Sequence, residues 1–143
     1  MTWQIWALGS AFFAALTAVL AKIGVSGVDS NLAMAIRSIV ILLAAWSLAL
    51  ATNSTEGIKS LSSKTWLFLC LSGLATGASW ACYFHALKLG PASKVAPIDK
   101  LSVPLVLVLA ALFLHEKLDW KTALGAVLIT MGALVIAWPS APK

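Results

Sequence analysis

The apolar residues fall into five blocks, each about as long as a lipid bilayer is thick. A hydrocarbon core of about 30 Å takes roughly 20 mostly apolar residues per helix. The pattern predicts helices over Trp3–Ile23, Leu32–Ala51, Trp66–Leu87, Val95–Leu114 and Trp120–Trp138. Gly, Ser, Asn, Asp and Pro gather in the links Gly24–Asn31, Thr52–Thr65, Lys88–Lys94 and His115–Asp119 and in the tail Pro139–Lys143, as turn chemistry requires. Trp3, Trp6, Trp66, Trp120 and Trp138 sit at span ends, where indole rings favour the headgroup level. Trp46 is near an end, and Trp80 lies deep inside a span. The predicted fold class is an all-α integral membrane protein, one five-helix domain over residues 1–143. A soluble helical bundle needs polar outer faces that these helices lack, and no β-barrel alternation appears. In the fourth span Pro97, Asp99, Lys100 and Pro104 crowd the first half. Pro97 is tolerated in a first turn, whereas Pro104 is expected to kink the helix or break it there.

Composition agrees with the pattern. Of 143 residues, 61% are apolar and 10% charged, against roughly 45–50% and 25% in soluble domains. Such a chain is neither disordered nor able to cover a water-soluble ball with polar surface. The net charge of +5 comes from basic residues scattered singly between apolar runs. That excludes a nucleic-acid patch. Cys70 and Cys82 share one span and, if helical, stand roughly 18 Å apart along its axis, too far for a disulfide. His85 and His115 are isolated, so neither a metal site nor a cofactor is expected. With no Lys or Arg before the first apolar run, a cleaved leader is not expected.

Candidate chemistry lies on helix faces. In the third span Gly73, Gly77, Trp80, Phe84 and Lys88 share one stripe, and Ser72, Thr76, Ser79 and Tyr83 an adjoining one. Hydroxyls facing lipid would lack partners, so the second stripe faces protein or a water-filled cavity. The glycines read first as helix packing. The hydroxyls with Trp80 read equally as packing or as an amphipathic binding wall. Ser10 and Thr17 repeat the theme on the first span, and Gly125 and Gly132 give the fifth a smooth face for close helix approach.

An ionisable side chain at a helix centre costs about 2.5–3.5 kcal/mol on the insertion scale, and none is expected at a midplane here. Lys22, Arg37, Lys88, Lys94, Asp99 and Lys100 share one membrane side if the spans alternate, with His85 about one turn deeper. Lys22, Lys88 and Lys94 are expected to snorkel to the headgroups. Arg37 and Asp99 are expected to pair or share a network. Glu116, closing the fourth span where the helix dipole disfavours an anion, is expected to find Lys117 or Lys121. No acyl-transfer, glycosidase, P-loop or dinucleotide motif occurs, which argues against an enzyme.

The order of these features resembles a single EamA domain of the drug/metabolite transporter superfamily. The likeness is carried by Lys22 after an Ala-rich first span, Ala35-Ile-Arg37, Tyr83-Phe-His-Ala-Leu87, Gly90-Pro-Ala-Ser93, Ala96-Pro-Ile-Asp-Lys-Leu-Ser102, Leu114-His-Glu116-Lys-Leu118 and Gly125 with Gly132. The resemblance implies half of an inverted-repeat ten-helix fold and a secondary transporter or exporter of small metabolites working by alternating access. It also differs from the four-span multidrug members, whose first span carries a Glu that is missing here. A substrate path between helices would run past Ser10, Thr17, Ser72, Thr76, Ser79, Trp80 and Tyr83. The other readings are a lipid or lipid-carrier flippase and a non-transporting accessory subunit. The expected partners are membrane lipid, a small-molecule substrate, and a second copy or a second five-span chain. The expected location is a bacterial-type inner membrane.

Charge bias leaves the orientation open. Lys22, Lys88, Lys94 and Lys143 on one side face Lys59, Lys64, Lys117 and Lys121 on the other, four against four, or six against four with Arg37 and Lys100. So slight a preference under the positive-inside rule suits insertion in both orientations and an antiparallel homodimer.

Overall fold

The computed structural model describes residues 3–138. Helix α1 spans Trp3–Gly24, α2 Ser30–Ala51, α3 Ser63–Leu89, α4 Ala92–Asp99, α5 Ser102–Phe113 and α6 Trp120–Ala137, with a short 3-10 helix at Ser54–Ser60. Among the described residues five stretches are long and apolar enough to cross a membrane, α4 and α5 together forming the fourth. The chain is all-helical and membrane-integral, as the apolar blocks predict. The 3-10 helix lies in the link expected to be a plain loop.

Two caps define where helices begin. The Asp29 Oδ1 accepts from the Asn31 N–H at 2.9 Å and the Leu32 N–H at 3.2 Å, and Asp119 accepts from the Thr122 N–H at 2.8 Å. Each carboxylate satisfies donors that have no partner inside the helix. The Leu32 and Asn31 N–H groups, helped by the charge of Lys88, hold the Asp29 carboxyl below its ordinary value of 3.8. The Thr122 side chain and N–H do the same for Asp119. A carboxyl lowered on folding contributes stability above its unfolded value and loses it as pH falls through the folded one. Thermal unfolding in detergent should therefore show stability dropping below about pH 4. Asp29→Asn, which still caps, should flatten part of that drop, and an unchanged profile would mean the cap carries none of it.

α1 gives way to α2 through a tight turn. Val25 N–H donates to the Ala21 carbonyl at 2.9 Å and Val28 N–H to the Val25 carbonyl at 3.3 Å. Gly27 takes φ +76, a conformation that a side chain would disfavour.

The fourth span is broken one turn before the position expected. The Pro104 ring opposes the carbonyl four residues back, at Lys100, and brings no N–H to bond it. That carbonyl accepts from the Val103 N–H at 3.0 Å instead, while Lys100 and Leu101 donate to Pro97 and Ile98 at 3.1 and 3.0 Å. The backbone tightens to three-residue turns at Lys100–Leu101, and Pro104 itself falls in the first turn of α5. Because the span begins at Ala92, Asp99 and Lys100 lie about 11–12 Å along it. That is about a third of the way along its 22 residues, deeper than the first turn but short of the middle.

The chain forms two compact units: Leu20–Leu89, and the described residues on either side of it. In the first, α2 packs against α3 and the 3-10 helix against α2; in the second, α4 and α5 both pack against α6. Among the described residues the buried apolar side chains are Ala18, Ala21, Val25, Phe84, Leu87, Ala110 and Ala133. Most are small, as close helix packing in lipid favours. Large apolar side chains such as Phe13, Leu74 and Val135 are exposed, and lipid is their solvent.

Candidate functional site

The densest chemistry in the unit Leu20–Leu89 centres on Arg37. Seven residues into α2, or about 10 Å, its guanidinium carbon stands 4.7 Å from the centre of the Trp80 ring and 5.4 Å from that of Phe84. Phe84 is 2% exposed and Arg37 half-buried. The stack satisfies two expensive groups together: an aromatic face attracts the cation, and the cation gives a deep indole a partner. Trp80 and Phe84 come together because they are four apart on α3, on one face. Tyr83, half-buried on the adjoining stripe, lies within electrostatic reach of the guanidinium.

A pocket of about 240 Å³ opens beside the stack, lined by Leu20, Gly24, Ala33, Ile36, Arg37 and Phe84 among others. Below it Lys22 Nζ donates to the Leu87 carbonyl at 2.6 Å. Leu87 belongs to the last turn of α3, where carbonyls lack helical donors and the dipole favours a cation. Lys22 therefore ties α1 to α3 rather than simply snorkelling. Lys88, whose charge acts on Asp29, keeps the exposed position expected of it.

The other candidates are more dispersed. Ser72, Thr76 and Ser79 are exposed along α3, and the Thr76 hydroxyl donates to the Ser72 carbonyl at 2.9 Å. That bond occupies its proton and leaves oxygen lone pairs free to accept. On α1 Ser10 is exposed and Thr17 half-buried, while on α3 His85 is exposed. A Cβ added at Gly73, Gly77, Gly125 or Gly132 would meet nothing within 4 Å, so these stripes are open along the described chain. Asp99 pairs with its neighbour Lys100 at 3.4 Å. α5 ends at Phe113, so Glu116 lies beyond the helix, in a turn where His115 takes φ +53 and the Glu116 N–H reaches back to the Ala110 carbonyl. Its side chain makes no ion pair with Lys117 or Lys121. Both cysteines are free. Among the described residues no His, Cys, Asp and Glu group could hold a metal ion.

The sequence pointed to Arg37 and Trp80 separately and missed that they meet. The signal was present, since one is a charge within a span and the other a Trp far from any span end.

Comparison with known families settles what this architecture is. The model of the EamA-like transporter family matches residues 1–138. The chain belongs to that family. This EamA-like chain is 52% identical over 136 residues to an uncharacterized transporter in the cobO 3′ region of a Sinorhizobium species, covering 95% of this chain and 96% of that protein. It is also 45% identical over 78 residues to a probable 4-amino-4-deoxy-L-arabinose-phosphoundecaprenol flippase subunit, ArnF, of Erwinia tasmaniensis. That second match covers 52% of the EamA-like chain and 59% of the subunit. No solved structure matches. Family and span count together make it an integral membrane transporter protein.

Proposed function

We propose that the protein is a secondary transporter of small metabolites that works by alternating access as an oligomer of five-span units. The observation that carries this reading is the exposed hydroxyl stripe of α3, Ser72, Thr76 and Ser79, on a helix long and apolar enough to span a membrane. The Thr76 proton is taken by the Ser72 carbonyl, but the oxygen lone pairs along the stripe find no donors in hydrocarbon, and a second unit set against this face gives them a polar, enclosed path. The stripes at Gly73 and Gly77 and at Gly125 and Gly132 offer close approach for that unit, and the break at Lys100–Leu101 lets the fourth span bend. In the unit Leu20–Leu89, Arg37 supplies a charged group beside the path. The test is transport by purified protein in proteoliposomes loaded with a bacterial metabolite extract, with lost solutes identified by mass spectrometry. Selective loss relative to protein-free vesicles is expected. Correctly inserted protein that depletes nothing overturns the reading.

The partner is a second copy in the opposite orientation, for which the near-balanced charge count argues. Reporters fused to the carboxyl terminus, one active only in the cytoplasm and one only outside, should both give signal. Signal from one alone would leave a parallel dimer or a different five-span chain.

A second reading, a lipid-carrier flippase subunit, is favoured by the likeness to ArnF and by the pocket beside Arg37. Loss of dithionite-accessible fluorescence from a labelled lipid in the same vesicles separates it from soluble-solute transport.

A further inference from the structure

We propose that Arg37, on its shelf of Trp80 and Phe84, binds the phosphoryl oxyanion of an amphiphilic cargo whose apolar part leaves along Leu20 and Ile36. The inference rests on the second reading, the flippase subunit, and names the chemical class of what is carried. Three observations converge on it. The first is what the guanidinium lacks. A ring face answers its charge but takes up none of its five N–H donors, which lie in a plane and want acceptors. Within its unit, among the described residues, Arg37 makes no ion pair; its close partners are the two rings, with Tyr83 in electrostatic reach. An oxyanion fits that fork with two parallel charge-assisted bonds.

The second observation is the pocket. At about 240 Å³ it is smaller than the roughly 300–1,000 Å³ of sites that enclose drug-sized ligands. Arg37 is the one charged side chain in its lining, the rest being apolar side chains and glycine. It has room for a headgroup and a few methylenes, with the remaining chain left to the bilayer. The third observation is charge. Lys22 and Lys88 occupy the same end of this unit, while the nearby carboxylate, Asp29, is held by its own helix N-terminus. The local balance is positive, which suits a phosphoryl group over a neutral or cationic one.

The test uses the full chain in a non-ionic detergent, titrated calorimetrically with dihexanoyl phosphatidic acid, dihexanoylglycerol and inorganic phosphate. Wild type should bind the phosphatidic acid at least tenfold more tightly than either other probe. Arg37→Gln should abolish that preference and Arg37→Lys keep part of it. Ile36→Trp, which fills the pocket and leaves the arginine, should also lose binding, which keeps the test decisive if Arg37→Gln fails to fold. Equal binding by wild type and Arg37→Gln overturns the proposal. So does inorganic phosphate binding as tightly as the amphiphile, which would make the cargo a soluble anion. A co-purifying lipid that the probe does not displace would make the site structural and overturn the cargo assignment. Arg37-dependent binding without any lipid flipping would sink the flippase reading alone; lipid flipping with Arg37-independent binding would sink this inference alone.

Discussion

Replacing Trp80 by alanine should cut transport at least tenfold while leaving membrane insertion and yield near wild type. The indole has two tasks: it stands in the candidate wall and it supports the Arg37 guanidinium at 4.7 Å. A desolvated cation–aromatic contact is worth about 2 kcal/mol, and 1.4 kcal/mol is about tenfold in a rate. Trp80→Phe keeps a π-face and should recover much of the loss. Thr76→Val removes an acceptor from the same wall and should reduce flux too, while Leu69→Ala, on an apolar stretch of the same helix, should change it less than twofold. Flux assays on these four proteins decide the matter. Normal transport by Trp80→Ala would mean that this face serves packing only.

The second large effect lies at the break in the fourth span. Asp99→Leu should reduce the amount of inserted, folded protein, because Lys100 would be left about 12 Å into the span without its carboxylate. An unpaired charge at a helix centre costs about 2.5–3.5 kcal/mol on the insertion scale, and less toward a span end where a lysine can snorkel. Asp99→Leu combined with Lys100→Leu should be milder than the single change, since removing both members of a pair leaves no orphan charge. Fluorescence-detected size exclusion on solubilised membranes reads both yields. If the double variant is as depleted as the single one, the pair's charges do not set the cost. A role for Asp99 in transport would then show separately, as a double variant that folds normally and carries nothing.

Span number and type were legible because lipid imposes a length that soluble folds do not, and apolar blocks of that length have few other uses. The break in α4–α5 was legible in kind, since Pro104 was seen, but displaced by a turn. A proline acts on the carbonyl four residues behind it, so the disturbance surfaced at Lys100. Charges were harder. A lysine near a span end snorkels in most sequences, and nothing along the chain distinguishes Lys22, whose ammonium found the Leu87 carbonyl 65 positions away. Arg37 illustrates the same limit: its depth announced a partner, and the nearest chemical guess was a carboxylate. Its own unit gave it two rings instead, a pairing that hydrophobic patterning does not encode.

The spans are of unequal length, and that ties the protein to the membrane it lives in. α3 has 27 residues and α6 has 18, or roughly 40 and 27 Å of helix at 1.5 Å per residue. A flat hydrocarbon slab of about 30 Å cannot match both upright. α6 is slightly short for it, so nearby acyl chains compress, whereas α3 either leans or carries Ser63, Lys64 and Lys88 out among the headgroups. Lengthening the acyl chains relieves α3 and strains α6, and shortening them does the reverse. Bilayer thickness thus acts on the helix that bears Trp80 without any ligand binding to it.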